Sequence, residues 1–317
     1  MMNDASAVDL AALRGAIARH IEESEAEIGV ALRHVESGME VLIDADALYP
    51  MASVFKIPIL VEALAQVGEG RQALDARVEL RVEDRVPPSG VLVTLDPGLR
   101  PTLKDLLMLM IVQSDNMATD VVLGLIGLET VERRMRALGL PTISVKMSVR
   151  GLFAVTFEPV DASLPPAEEA RAVEQQGPFW DAPTNRRAPE NNVCSPRDMA
   201  LLLERLLAGA VLSPAGADVA LDILLRQQIN GRIPRFLPPT VAVAHKTGTF
   251  IQSRNDAGII YLPDGTHLVL ALFAIPRRDL LEAGPLSSVP YIDRVDGAMG
   301  RIARAAYDAF AGPLRVG

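Results

Sequence analysis

Hydrophobic positions recur along the chain in two rhythms. Leu10, Leu13, Ile17 and Ile21 fall at helical spacing and predict an amphipathic helix over residues 8 to 25. Residues 28–34 and 39–43 are apolar, β-branched runs on either side of Glu36-Ser37-Gly38, the pattern of a hairpin. From Ala52 to about Gly231 the rhythm is mostly helical. Thr102 three residues ahead of Asp105 forms a capping box, with Leu103, Leu106, Leu107 and Met110 behind it. Ser195-Pro196 opens another helix, with Pro at its first position and Met199, Leu202, Leu203 and Leu206 apolar. Strands return at 241–245, 257–262 and 267–274, and a closing helix carries Val295, Met299, Ile302 and Ala306 on one stripe.

Strands at both ends with helices between them predict an α/β fold: one antiparallel sheet built from both chain termini, flanked by helices, with an all-α insertion. The division expected is 1–44 with 232–317 as the α/β unit and 45–231 as the all-α unit. A long irregular loop, rich in Pro and charge, is expected at about 157–192, and it holds the only tryptophan, Trp180. Structureless segments of that length in a compact chain are commonly functional.

Composition narrows the chemistry. With 317 residues, 49% of them hydrophobic, the chain buries a real core, yet no apolar run is long enough to suggest a membrane span. Its 31 basic residues against 40 acidic ones argue against nucleic acid as a partner, because phosphate binding needs surplus positive charge. The single cysteine, Cys194, excludes an internal disulfide or a CxxC metal site, and His20, His34, His245 and His267 show no ligand spacing. No metal and no cofactor are therefore expected, and the partner expected is a small-molecule substrate. The first residues carry no secretory pattern, which points to the cytoplasm, or to a secreted or periplasmic location if a leader has been removed. Only four basic residues are lysines: Lys56, Lys104, Lys146 and Lys246. In a chain that favours arginine, each draws attention, since lysine can lose its proton in a desolvated pocket and arginine cannot.

Three short motifs contain the candidate chemistry. Ser53-Val54-Phe55-Lys56 stands where an apolar helical pattern begins, so that the lysine amine shares a face with the serine hydroxyl. Ser114-Asp115-Asn116 lies between two helical stretches, and Lys246-Thr247-Gly248-Thr249 sits at the end of a strand, where Gly248 would let a flat ligand approach the backbone. Each alone has an ordinary structural reading as a cap, a helix restart or a glycine turn.

Together and in this order they resemble the signature of class A β-lactamases and penicillin-binding proteins, and the resemblance extends over almost the whole chain. It implies a β-lactamase-like fold with the active site between sheet and helices. It implies Ser53 as acylated nucleophile, Lys56 as its base, Ser114 as proton relay to the leaving amine, and Asn116 as partner of the substrate amide. Lys246 would bring positive charge to Ser114 and the substrate carboxylate. Thr247, Gly248 and Thr249 would line the substrate strand, the backbone N–H groups of Ser53 and Thr249 would form an oxyanion hole, and Arg254 is a further candidate carboxylate anchor.

One part of the pattern is missing. Class A enzymes carry Glu-x-x-Leu-Asn, whose glutamate activates the deacylating water, and none of Glu158, Glu168, Glu169, Glu174 or Glu190 is followed by Leu-Asn at that spacing. Glu190, beside Asn191 and Asn192, is the nearest candidate, and equally reads as an ordinary loop carboxylate. The expected activity is hydrolysis of β-lactams, amides or esters through an acyl-enzyme on Ser53. A cytoplasmic esterase or peptidase on the same fold, and a covalent sensing module with little turnover, are the other readings.

Overall fold

Asp9 begins the order: its carboxylate accepts the Ala12 N–H at 2.9 Å and opens helix α1 (Leu10–Ser24), which buries Leu13 and Ile17. The computed structural model describes residues 8–86, 88–158, 164–165, 168, 171–172, 175 and 178–311. Glu169, Glu174 and the outermost residues of both chain ends thus lie outside the described residues. Strands β1 (Glu27–His34) and β2 (Glu40–Ile43) form the hairpin, turning at Gly38 with φ 72. A short strand, β3 (Tyr49–Pro50), and a 3-10 turn over Ala52–Phe55 lead into α2 (Lys56–Gly68). Then come α3 (Leu103–Val112), opened by the reciprocal Thr102–Asp105 box, α4 (Asn116–Ile126), α5 (Leu128–Ala137) and α6 (Val149–Ala154). Strand β4 (Val193–Cys194) pairs with β3, and α7 (Pro196–Leu207) and α8 (Pro214–Leu225) follow. The chain finishes with β5 (Val243–Phe250), β6 (Ser253–Tyr261), β7 (His267–Ile275), α9 (Arg278–Glu282) and α10 (Pro285–Phe310).

The five-stranded sheet runs β2-β1-β7-β6-β5 with every neighbouring pair antiparallel. Alternation along the strands decides which layer each face meets. On β7, Leu268, Leu270 and Leu272 join Leu13, Ile17, Val295, Met299 and Ile302 beneath α1 and α10. The intervening Val269, Ala271 and Phe273 join the larger core of α2, α3, α4 and α7 on the opposite face. Both ends of the chain therefore supply one sheet, and α2 through α8 cover its second face. Among the described residues no helix is long and apolar enough to cross a membrane.

Two local expectations change. Lys246-Thr247-Gly248 lies inside β5, because pairing with β6 continues through Gly248↔Asn255 to Phe250↔Ser253. Glycine does not end this strand, since its backbone bonds are kept. Ser53 lies in the 3-10 turn ahead of α2. Pro58 has no N–H for the Val54 carbonyl, which instead accepts from Lys56, so α geometry starts only there.

Candidate active site

The Ser53 turn is pressed against the middle of β5. A Cβ at Gly248 would come within 2.6 Å of the Met51 carbonyl oxygen and 3.1 Å of the Val54 nitrogen. The glycine expected to admit a flat ligand is thus covered by the Ser53 turn, and its role is packing. From β6, the buried Asn255 donates to the Pro50 and Met51 carbonyls, both at 2.9 Å, and accepts from Ala274 N–H. These bonds clamp the turn to the sheet. Ala52 takes φ 43, a left-handed conformation that costs a non-glycine residue on the order of 1 kcal/mol. Ser53 itself is half-buried and lines the cavity.

Ser114 is strained in the same way, with φ 54 between α3 and α4. Asp115, fully buried, holds this corner: its carboxylate caps α4 through Ala118 N–H at 2.9 Å and accepts Val91 and Leu92 N–H at 2.8 and 2.9 Å. The Asn116 N–H donates to the Ser89 carbonyl, and the Ser89 hydroxyl donates to the Ser114 carbonyl. Gly90 lets this contact close, since a Cβ there would lie 2.2 Å from Asp115 Oδ2.

Two buried amines meet at Ser114. Lys56 Nζ donates to the Ser114 carbonyl at 2.7 Å and lies 3.1 Å from both Ser114 Oγ and Asn116 Oδ1. Lys246 Nζ reaches the same Oγ from β5 at 3.2 Å and donates to the Thr247 carbonyl at 2.7 Å. Burial pulls the Lys56 pKa down to about 7, against the opposing pull of Asp115 and Asp120. Lys246 is lowered well below its ordinary value, first by burial and then by the neighbouring Lys56 charge. An amine that exchanges its proton near neutrality, touching a hydroxyl that touches a second amine, can move protons across the site.

Sequence reading missed Arg232. It is buried behind β5, donates to the Gly248 and Asn255 carbonyls at 2.9 and 2.7 Å and to Thr249 Oγ1 at 2.6 Å, and pairs with Asp296 at 2.8 Å. It holds Thr249 in place and adds positive charge beside β5, yet in the sequence it is one arginine among many outside any motif. Arg254 lines the cavity beside Thr249 and Ser253. Burial, with the Arg232 charge second, lowers its pKa to about 10, and its buried Nε has no hydrogen-bond partner among the described residues.

The irregular stretch expected at about 157–192 follows α6. Ser144 bridges to Val193 at its neck, and Asn192 Oδ1 accepts Lys146 and Met147 N–H at 2.7 and 2.9 Å while its Nδ2 donates to the Met147 carbonyl. Helix α6 therefore belongs to the loop. A cavity of about 730 Å³ opens between the loop and the Ser53–Ser114–Thr249 constellation. Among the described residues lining it, the loop's polar side chains are Thr184, Asn191 and Asn192, none of them a carboxylate. Glu190, Glu158 and Glu168 are exposed and are not among those lining residues. The geometry does not bring Glu190 to the site, because the turn beside it spends its polar contacts inward through Asn191, which donates to the Thr184 and Arg186 carbonyls.

The profile of the β-lactamase enzyme family matches residues 12–310. The β-lactamase VEB-1 of Pseudomonas aeruginosa is 26% identical over 275 residues, covering 83% of this chain and 82% of its own length. A β-lactamase of Streptomyces cellulosae is 30% identical over 273 residues, covering 83% and 76%. The crystal structure of a β-lactamase from Sphaerobacter thermophilus superposes with a TM-score of 0.76 at 29% identity, covering 96% of this chain and 99% of its own.

Proposed function

The chain belongs to the β-lactamase enzyme family, and from that premise we propose that it hydrolyses β-lactams by the class A route, through an acyl-enzyme on Ser53. The observation that carries the reading is the shared contact of Lys56 and Lys246 with Ser114 Oγ, beside a lysine whose pKa is about 7. Neutral Lys56 accepts the Ser53 hydroxyl proton as Oγ bonds to the lactam carbonyl carbon. The carbonyl oxygen, now an oxyanion, is held by the N–H groups of Ser53 and Thr249. When the oxyanion collapses, the C–N bond breaks, and the nitrogen takes a proton from Ser114 Oγ, which is replenished from the lysines. Water then attacks the ester carbonyl carbon, leaving a carboxylic acid and returning a proton to Ser53.

Among the described residues the groups that the first half of this cycle needs stand around the cavity, and no loop carboxylate stands there for the second. A substrate carboxylate is drawn to the β5 edge by Lys246, Arg232 and Arg254, and the leaving nitrogen then lies beside Ser114. On the loop side, hydroxyl and amide groups face the cavity where a base for water is needed. Acylation is accordingly fast and deacylation slow. Intact mass followed over time after exposure to a penicillin tests this. The expected record is a stoichiometric adduct, absent in Ser53→Ala, that clears slowly. Absence of any adduct with the penicillin left intact would overturn β-lactam hydrolysis and favour an esterase or peptidase using the same groups, and absence of adduct with the penicillin consumed would overturn slow deacylation.

A further inference from the structure

Behind β5 lies a second polar cluster, outside the reacting groups. His245 and Asp256 are both buried and meet on one face of the β5–β6 ladder, the carboxylate accepting the imidazole Nδ1–H at 2.9 Å. Gly258, paired with His245, makes the room: a Cβ there would lie 2.4 Å from His245 Cβ and 2.6 Å from the Ala244 carbonyl oxygen. The second Asp256 oxygen accepts the Ile233 N–H at 3.0 Å, and the imidazole Nε2 lies 3.0 Å from Asn230 Oδ1. One buried pair thus fastens residues 230 and 233, on either side of Arg232. Upstream, Gln227 donates to the Ile111 carbonyl at 2.9 Å and accepts the Gln228 and Ile229 N–H groups. From 227 to 232 the chain forms no helix or strand, so these side chains decide where it runs.

We propose that His245 is a positioning residue for acyl transfer: with Asp256 it holds residues 230–233, and through them the Arg232 guanidinium that sets Thr249 at the oxyanion site. The proposal rests on the acyl-transfer reading above and adds a residue to it. Arg232 sits inside the fastened segment, and its fork reaches the Gly248 carbonyl at 2.9 Å, the Asn255 carbonyl at 2.7 Å and Thr249 Oγ1 at 2.6 Å. A guanidinium is planar and its donors are fixed relative to one another, so these three bonds move together with the backbone that carries them. Without the imidazole, Asn230 loses its contact and the Asp256 carboxylate loses the donor that orients it toward the Ile233 N–H. The Arg232 backbone is then free to shift, and Thr249 shifts with the fork. His245 also stands four residues ahead of Thr249 on the same face of β5. A route along the strand would leave Arg232 out, whereas the route through the segment requires it.

The test is single-turnover acylation by benzylpenicillin and by p-nitrophenyl acetate, whose limiting first-order constant does not depend on the folded fraction. His245→Phe fills the space without a donor, and His245→Asn keeps an amide N–H where Nδ1–H lies. The phenylalanine variant is expected to lose about tenfold in the limiting constant, with half-saturation within about twofold of the parent, and the asparagine variant to recover to within about threefold. In an Arg232→Gln background, His245→Phe is expected to change the constant by no more than about twofold, because its route is already cut. A constant within about twofold of the parent in His245→Phe, or the full loss persisting without Arg232, overturns the positioning role. If His245→Phe does not fold, the exposed Asn230→Ala takes its place, with an expected loss of about threefold that also vanishes in Arg232→Gln. No loss there overturns the proposal. If only the ester reacts and shows this pattern, the positioning role stands and the β-lactam reading falls. If neither reacts, the NMR signal of the Thr249 N–H decides. A displacement by His245→Phe that disappears in Arg232→Gln supports the role, and an unmoved signal overturns it.

Discussion

Replacing Gly248 by alanine probes the contact on which the whole site depends. The added methyl would sit 2.6 Å from the Met51 carbonyl oxygen and 3.0 Å from Val54 Cγ2, so the first contact falls about 0.8 Å short of ordinary packing. Neither side yields freely. Strand β5 is locked to β6 from Val243↔Ile260 to Phe250↔Ser253, and the turn is held by the two Asn255 bonds. The displacement must therefore pass into the Ser53 turn, widening the gap between the Ser53 and Thr249 N–H groups that are to share one oxyanion. Misplacement of that order costs about 10² in rate, and overpacking costs about 1–3 kcal/mol of stability. The assay is single-turnover acylation by a chromogenic cephalosporin, alongside urea denaturation. Acylation within twofold of the parent, at unchanged denaturation midpoint, would refute both the packing role of Gly248 and the shared oxyanion site.

Lys56→Arg keeps the charge but removes the titratable amine, and acylation measured by intact mass should drop by about 10². Because the Lys56 pKa is lowered to about 7 and the neutral form is the base, acylation should rise with pH through about 7. Asp120→Asn removes a charge that favours the ammonium form and should move that midpoint to lower pH, read from rates between pH 5 and 9. Asp115→Ala leaves three backbone N–H groups without their carboxylate and should cost about 3 kcal/mol or more by urea denaturation, with acylation falling in parallel. Stopped-flow hydrolysis of a chromogenic cephalosporin should show a burst close to one equivalent in the parent and in Glu190→Gln alike; a burst created only by the substitution would make Glu190 the deacylating base after all.

Most of the fold was legible because the signals were local. The unbroken apolar run of β7 reports a strand buried on both faces, the helical stripes of α1 and α10 each report one buried face, and the Thr102–Asp105 box marks its helix start. The boundaries that slipped depended on partners elsewhere. Lys246-Thr247-Gly248 sits inside a strand because β6 continues the ladder past it, and nothing in five residues of β5 reveals how far a neighbour extends. Ser53 precedes its helix because of Pro58, a local signal that the strong apolar pattern after Ile57 concealed.

The site divides in the same way. Lys56, Ser114, Asn116 and Lys246 were legible as motifs, since short spacing and rare lysines single them out. Arg232 and Asn255 were not, because they act through backbone carbonyls that any sequence possesses, from positions that become adjacent only when β5 and β6 pair. The loop shows the limit most clearly. Its sequence announced a missing glutamate motif but not what stands in its place, since Phe153, Phe157 and Trp180 converge with Phe250 only after Asn192 has closed the neck across 45 residues. Two amines of lowered pKa therefore stand on the Ser114 side of the cavity, where short motif spacing singled them out, and stacked rings stand on the loop side, where no motif did.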